Sequence, residues 1–231
     1  MKKKSNAVII LSTQATLKRR VRRHLKSQGF QRAEDGNLSF PGSGKDSIRA
    51  VHALQRNDRL ETNRVFISEH FPKLLKYFAS GGDVDPSRMS PILQRVSSGT
   101  WEGDLFRLAA LTWSVPVSNG FGRRLRYLVW DKHNGKLMGI IAIGDPVFNL
   151  SVRDLLIDWD TEARGERLVN VMDAYVLGAL PPYNVLLGGK MVACLIRSRD
   201  IYDDFAKAYG KTTGIISKQE KKARLLGVCR R

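Results

Sequence analysis

Three carboxylates stand where this sequence could do acid–base work: Asp145 in Gly144-Asp145-Pro146, Asp154 beside Arg153, and Asp158 before Trp159. A carboxylate becomes a general base when burial raises its pKa, and acyl transfer to an amine needs such a base or a positioned water. The same residues have plainer uses. Asp145 can form a turn with Pro146, and Asp154 can pair with Arg153 or another arginine. Trp159 can stack on a nucleobase or be buried as core. Arg123, Arg124 and Arg126 follow the Ser-Asn-Gly-Phe-Gly stretch at 118–122. A flexible loop there would deliver them to phosphate, or they brace a helical region against a sheet.

A second chemistry is suggested by residues 174–196, an apolar strand, Pro181-Pro182, then Gly188-Gly189-Lys190 and another apolar run. Backbone amides at a helix start, with no side chain in the way, hold an anion such as a cofactor pyrophosphate. Glycines equally let a strand pass tightly into a helix. Residues 185–196 are apolar nearly all round, which predicts a helix covered on both sides. Neither glycine segment is a Walker A loop. Met191 follows Lys190, while in Gly42-Ser43-Gly44-Lys45 the first glycine position is Ser39 and Asp46 replaces the magnesium-binding hydroxyl. His24, His52, His70 and His133 are scattered with no helical pair, so no metal site is expected. Cys194 and Cys229 are too few for a disulfide framework or zinc, and Cys194, inside the apolar run, reads as a small buried hydrophobe.

Charge narrows the choice of partner. Against 22 Asp and Glu stand 39 Lys and Arg, a formal net charge of +17 with pI near 10.2. Cations that neutralise phosphates release condensed counterions and gain affinity without reading sequence, so nucleic acid is the partner this balance favours. A solvated basic surface, or attraction to anionic lipid, would carry the same excess. The densest cluster is a predicted helix after Ser12, stopped by Gly29. Leu17, Val21 and Leu25 recur every fourth residue on one side, with Lys18, Arg19, Arg22, Arg23 and Lys26 on the other. Arg153 joins the cations suited to phosphate. The apolar run at 7–11 is shorter than a signal peptide core of roughly 7 to 15 residues. No stretch approaches the roughly 18 apolar residues of a membrane span, and the cytoplasm is the expected compartment.

The elements that must position these groups divide by period. Residues 1–115 read mainly as helix: the basic helix; one over 47–60 capped by Asp46 or Ser47; one over 68–80 stopped by Gly81-Gly82; and one over 100–115 ended by Pro116. Between the last two, residues 83–91 are a proline-bearing connector. From residue 116 the pattern is α/β. Two apolar strands flank Asn134-Gly135, a two-residue hairpin turn. Residues 151–160 read as a third strand, with Asp154 and Asp158 facing one way and Arg153 and Trp159 the other. Residues 161–168 are a short helix or loop, 169–180 a strand, and 198–210 a helix capped by Ser198 and stopped by Gly210. The expectation is therefore a mixed-sheet α/β (α+β) domain, 116–231, behind a helical region.

The segments 111–131 (LTWSVPVSNGFGRRLRYLVWD), 134–154 (NGKLMGIIAIGDPVFNLSVRD) with Ile157-Asp158-Trp159, and 171–190 (VMDAYVLGALPPYNVLLGGK) resemble, in order and spacing, the DruA family of Druantia anti-phage systems. The likeness runs from about Leu17 to about Gly214. Beyond it the family carries a longer strand-rich segment, whereas this chain ends KQEKKARLLGVCRR, as a short or truncated member would. The resemblance implies defence against phage, on or near nucleic acid, alongside other defence proteins. It also implies a core like that of Gcn5-related N-acetyltransferases and phage DNA-modifying proteins of the Mom type. In such a core, acyl-coenzyme A is the cofactor that Gly188, Gly189 and Lys190 would hold, although 185–190 lacks the polar residue that opens the acetyltransferase loop. Three functions follow: a DNA-associated defence component, an acyl-transferring or nucleobase-modifying enzyme, and a non-catalytic scaffold.

Overall fold

The structure, a computed structural model, describes residues 12–40, 44–113, 117, 122–213 and 220–230. Expectations for 7–11, Gly42-Ser43, the 115/116 boundary, Pro116 and most of the 118–122 loop fall outside those residues. The chain divides into two units that meet in sequence between Thr62 and Asn63.

The smaller unit holds α1 (Thr13–Ser27), a hairpin of β1 (Gln31–Arg32) and β2 (Leu38–Ser39), and α2 (Lys45–Thr62). Ser12 caps α1, its hydroxyl accepting the Ala15 N–H at 3.2 Å. Gly29, at φ +85°, ends the helix: its N–H donates to the Lys26 carbonyl and that of Phe30 to the Leu25 carbonyl, which satisfies carbonyls that the helix leaves open. The α2 helix begins ahead of Asp46 and Ser47, so neither is its cap; Asp46 pairs with Arg49 at 2.9 Å in its first turn.

The larger unit holds α3 (Arg64–Leu74), β3 (Pro91–Arg95), α4 (Trp101–Ala110), β4 (Arg124–Asp131), β5 (Lys136–Gly144), α5 (Ser151–Leu156), α6 (Thr161–Arg167), β6 (Val171–Ala179), α7 (Gly188–Cys194), α8 (Arg199–Tyr209), β7 (Lys211–Thr213), β8 (Glu220–Lys222) and β9 (Gly227–Arg230). One five-stranded sheet, ordered β3-β4-β5-β6-β9, is antiparallel except where β9 runs parallel to β6. The β5 strand is central and buried on both faces, as its unbroken run Leu-Met-Gly-Ile-Ile-Ala-Ile requires. On one face Leu105, Phe106 and Ala109 of α4, with Phe66 and Leu74 of α3, pack on Leu128, Ile140 and Val176. On the other, Val192 of α7 and Ile201 and Phe205 of α8 cover Leu125, Tyr127, Ile141 and Met172. Full burial of each such side chain contributes roughly 1.5–3 kcal/mol. A Cβ at Gly139 would stand 2.8 Å from Val192 and 2.6 Å from the Gly178 carbonyl, so glycine there lets α7 lie close on the sheet.

The architecture is thus mixed α+β. Several elements differ from expectation. Residues 91–95, of which only Pro91 falls in the expected connector, form the edge strand β3. The β4–β5 turn has four residues, 132–135, because Asp131 pairs with Lys136 and only Gly135 takes a positive φ. Residues 151–156 are helix, not strand: the Asp154 N–H donates to the Leu150 carbonyl and Ile157 N–H to that of Arg153. Here a buried ion cluster, not strand alternation, decides which side chains turn inward. The 185–196 run is not covered all round, since Val185 and Leu187 are exposed, and Cys194 is an exposed free thiol. Ser198 precedes α8, but its hydroxyl makes no cap bond.

Candidate functional site

Lys18, Arg19, Arg20, Arg22, Arg23 and Lys26 are exposed on α1, a helix with no acidic residue. None of the six meets a carboxylate among the described residues. At about 1.5 Å per residue, they spread along some 12 Å of helix axis. Such an array is suited to phosphates, which recur every ~1.7 Å along duplex DNA when both strands are counted.

The other predicted arginines are engaged. Arg123 lies just before β4, and its guanidinium donates to Asp145 from Nε at 2.7 Å and to the Val169 carbonyl at 2.7 Å, while its NH2 group pairs with Asp145 at 2.7 Å. Its backbone N–H donates to the other carboxylate oxygen at 2.9 Å. The Phe205 ring lies beneath the guanidinium, 5.3 Å away. Gly122, at φ +94°, makes room for this: a Cβ there would strike the Asp145 carboxylate. Arg124 and Arg126 alternate along β4 to the opposite face, 4.5 Å from the Tyr175 ring and 5.7 Å from the Phe106 ring. Asp145 is a clamp on the strand entry, with both oxygens accepting.

Asp154 is likewise surrounded. Arg153 donates to it at 2.6 and 2.8 Å, and Arg164 of α6 at 3.0 Å. Desolvation works to raise this carboxyl, but the two guanidiniums outweigh it and hold the pKa below the usual carboxylate value. A carboxylate stabilised in this way is a weak base. Arg164, ten residues away in the stretch read as a short helix or loop, completes the cluster; no periodic signal could have announced it. Asp158 is exposed at φ +53°, outside the cluster, and Trp159 is half-buried.

The glycine pair sits elsewhere. A Cβ at Gly188 would lie 2.5 Å from the Tyr183 carbonyl, whereas Gly189 has open space and Lys190 is exposed. Lys190 N–H donates to the Leu187 carbonyl at 3.0 Å, so that amide is occupied. The Tyr183 hydroxyl donates to Asp131 at 3.1 Å and accepts from Asn134 at 2.8 Å, tying this turn to the β4–β5 connection. Burial, with Asp131 adding to it, pushes the Tyr183 hydroxyl up to about 12. Arg124 pairs with Gly144 at the far end of the same hairpin. Seven residues of strand, about 23 Å, separate the two ends. The structure therefore unites Arg123 with Asp145 and Arg153 with Asp154, and does not bring either to Gly188. Among the described residues, no three His, Cys, Asp or Glu side chains gather as metal ligands, and no helix is long and apolar enough to cross a membrane.

Comparison with known proteins agrees with the sequence resemblance. The family described as "Druantia protein DruA" matches residues 42–230. A curated relative, "Druantia protein DruA" of Escherichia coli (strain UMEA 4076-1), is 67% identical over 215 residues, which cover 93% of this chain and 53% of that protein. The chain thus spans about half the length of that relative. No solved structure matches, so the expectation of an acetyltransferase-like core gains no support from that comparison. With the sheet, its covering helices and both clamps inside the matched span, the chain belongs to the Druantia protein DruA family.

Proposed function

We propose that this chain serves anti-phage defence as a nucleic-acid-contacting DruA component, and that the basic face of α1 is the contact. The observation that carries this reading is the set of six exposed cations on an acid-free helix, in a chain of net charge +17. Elsewhere in the molecule, arginines read as phosphate ligands already hold carboxylates, carbonyls or rings. The contact is with the backbone, positioning the protein without reading bases. The family name supports a defence role in company with other proteins of the same system.

The test is a salt titration of binding to duplex and single-stranded DNA. Wild-type affinity falls linearly in log–log form, with a slope near −0.9 per phosphate contact on duplex and −0.7 on single strands. Arg19→Gln, Arg22→Gln and Arg23→Gln together flatten the slope. No binding at low salt, or an unchanged slope in the triple variant, overturns the reading.

A further inference from the structure

Exposed apolar side chains gather on α5. Val152, Leu155 and Leu156 are 76%, 82% and 84% exposed, and their i, i+3, i+4 spacing sets them on one helix face. That face is braced from behind. Arg153 donates to the carbonyls of Val147 and Phe148 at 2.7 and 3.0 Å, and Asp154 locks it to Arg164. A rigid cluster of large exposed apolar groups is what protein contact surfaces present.

The charge beside it names the partner. Asp158, Asp160, Glu162 and Glu166 follow within ten residues and are exposed, while Arg153 and Arg164 are engaged by Asp154. Phosphate is disfavoured there; an apolar stripe flanked by cations is favoured. This chain carries such a stripe. Leu17 is 62% exposed on α1 and Val21, one turn on, is exposed too, with Lys18, Arg20 and Arg22 alongside and no acid in the helix.

We propose that the α5 face of one copy takes the Leu17–Val21 stripe of α1 from a second copy, head to tail. Pairing like with like would set acid against acid or base against base, whereas the head-to-tail contact joins opposite charges across apolar centres. Because the two patches differ, each copy offers both halves of the contact, so two copies can exchange α1 reciprocally or successive copies can join in line, and either assembly grows with concentration. The contact shares Lys18, Arg20 and Arg22 with the nucleic-acid reading but centres on Leu17 and Val21, so a test made without nucleic acid separates the failure of one from the failure of the other.

Analytical ultracentrifugation of nuclease-treated full-length chain, cleared of nucleic acid, tests it. The weight-average mass of wild type climbs with concentration from 26.0 kDa to at least twice that value. Leu155→Glu with Leu156→Glu, and Leu17→Glu with Val21→Glu, each hold the chain at monomer; all four side chains are exposed, so the fold is kept. An equimolar mixture of the two variants regains association but stops at the dimer, because each supplies one intact patch. A monomeric wild type, association that survives in either variant, or a mixture that stays monomeric overturns the proposal.

Discussion

Two sets of arginines share residue type and local density but not their surroundings. On α1, Arg19, Arg22 and Arg23 are exposed and no carboxylate stands in their helix. In the larger unit, Arg123 is held by Asp145 and Val169, and Arg153 and Arg164 converge on Asp154. The first set leaves its charge to solvent and to any polyanion that arrives; the second is engaged within the fold, Arg123 with Asp145 and Arg153 and Arg164 together on Asp154. Density of cations therefore does not mark a phosphate site. Density without a local acid leaves the cations available to a phosphate.

The comparison breaks most severely at Arg123. Arg123→Ala leaves the exposed Asp145 without its ion pair and removes the guanidinium from the Val169 carbonyl and the Phe205 ring, at a cost of about 2 kcal/mol. Denaturant unfolding should register that loss while the salt slope of DNA binding stays put. If the slope falls as well, Arg123 belongs with the α1 set. Acid attacks the second clamp. Although desolvation opposes it, pairing with Arg153 and Arg164 depresses the folded pKa of Asp154, so its contribution is full above the unfolded value, near 3.8, and is lost as pH falls below that value. Wild type should lose melting temperature more steeply than Asp154→Asn on that acid limb.

The converse holds on α1. Replacing Arg19, Arg22 and Arg23 by Gln should weaken duplex binding about tenfold or more, around 1.4 kcal/mol, at moderate salt. Stability should stay within about 0.5 kcal/mol of wild type, because these exposed side chains brace nothing. A large loss of stability in the triple variant would erase the difference between the two sets.

How far the sequence discloses each set follows from range. The α1 helix, its Ser12 cap and its Gly29 stop are local signals within four residues, and all three are legible. The β4–β5 hairpin is legible from its apolar runs, and the α8 helix from Ile201, Phe205 and Tyr209. The clamps are not. Arg123 reaches Asp145 only because β5 returns beside β4, 22 residues on. Strand alternation at 151–160 misleads because Asp154 turns inward to a partner in α6, which reverses the usual rule and leaves Val152, Leu155 and Leu156 in solvent. The β3 strand is hidden by Pro91, tolerated because it begins an edge strand.

At the hairpin's closed end the effects are smaller. Tyr183→Phe removes one buried hydroxyl that links Asp131 and Asn134, and should cost about 1–2 kcal/mol in thermal or denaturant unfolding. A null result would mean that water replaces the hydroxyl and that the turn is not tied to β4.

The smallest effect has the opposite sign and separates packing from ligand binding at the glycine pair. Gly188→Ala drives a methyl group into the Tyr183 carbonyl and destabilises, but a methyl at Gly189 meets open space at the second position of α7. Removing the conformational freedom of glycine from the unfolded chain there should stabilise by about 0.5–1 kcal/mol. If these glycines serve packing alone, the melting temperature of wild type and Gly189→Ala should be equally indifferent to acyl-coenzyme A. A thermal shift in wild type that Gly189→Ala abolishes would instead show open amides at that turn, and would place a second anion-binding region at the end of the sheet opposite Arg123.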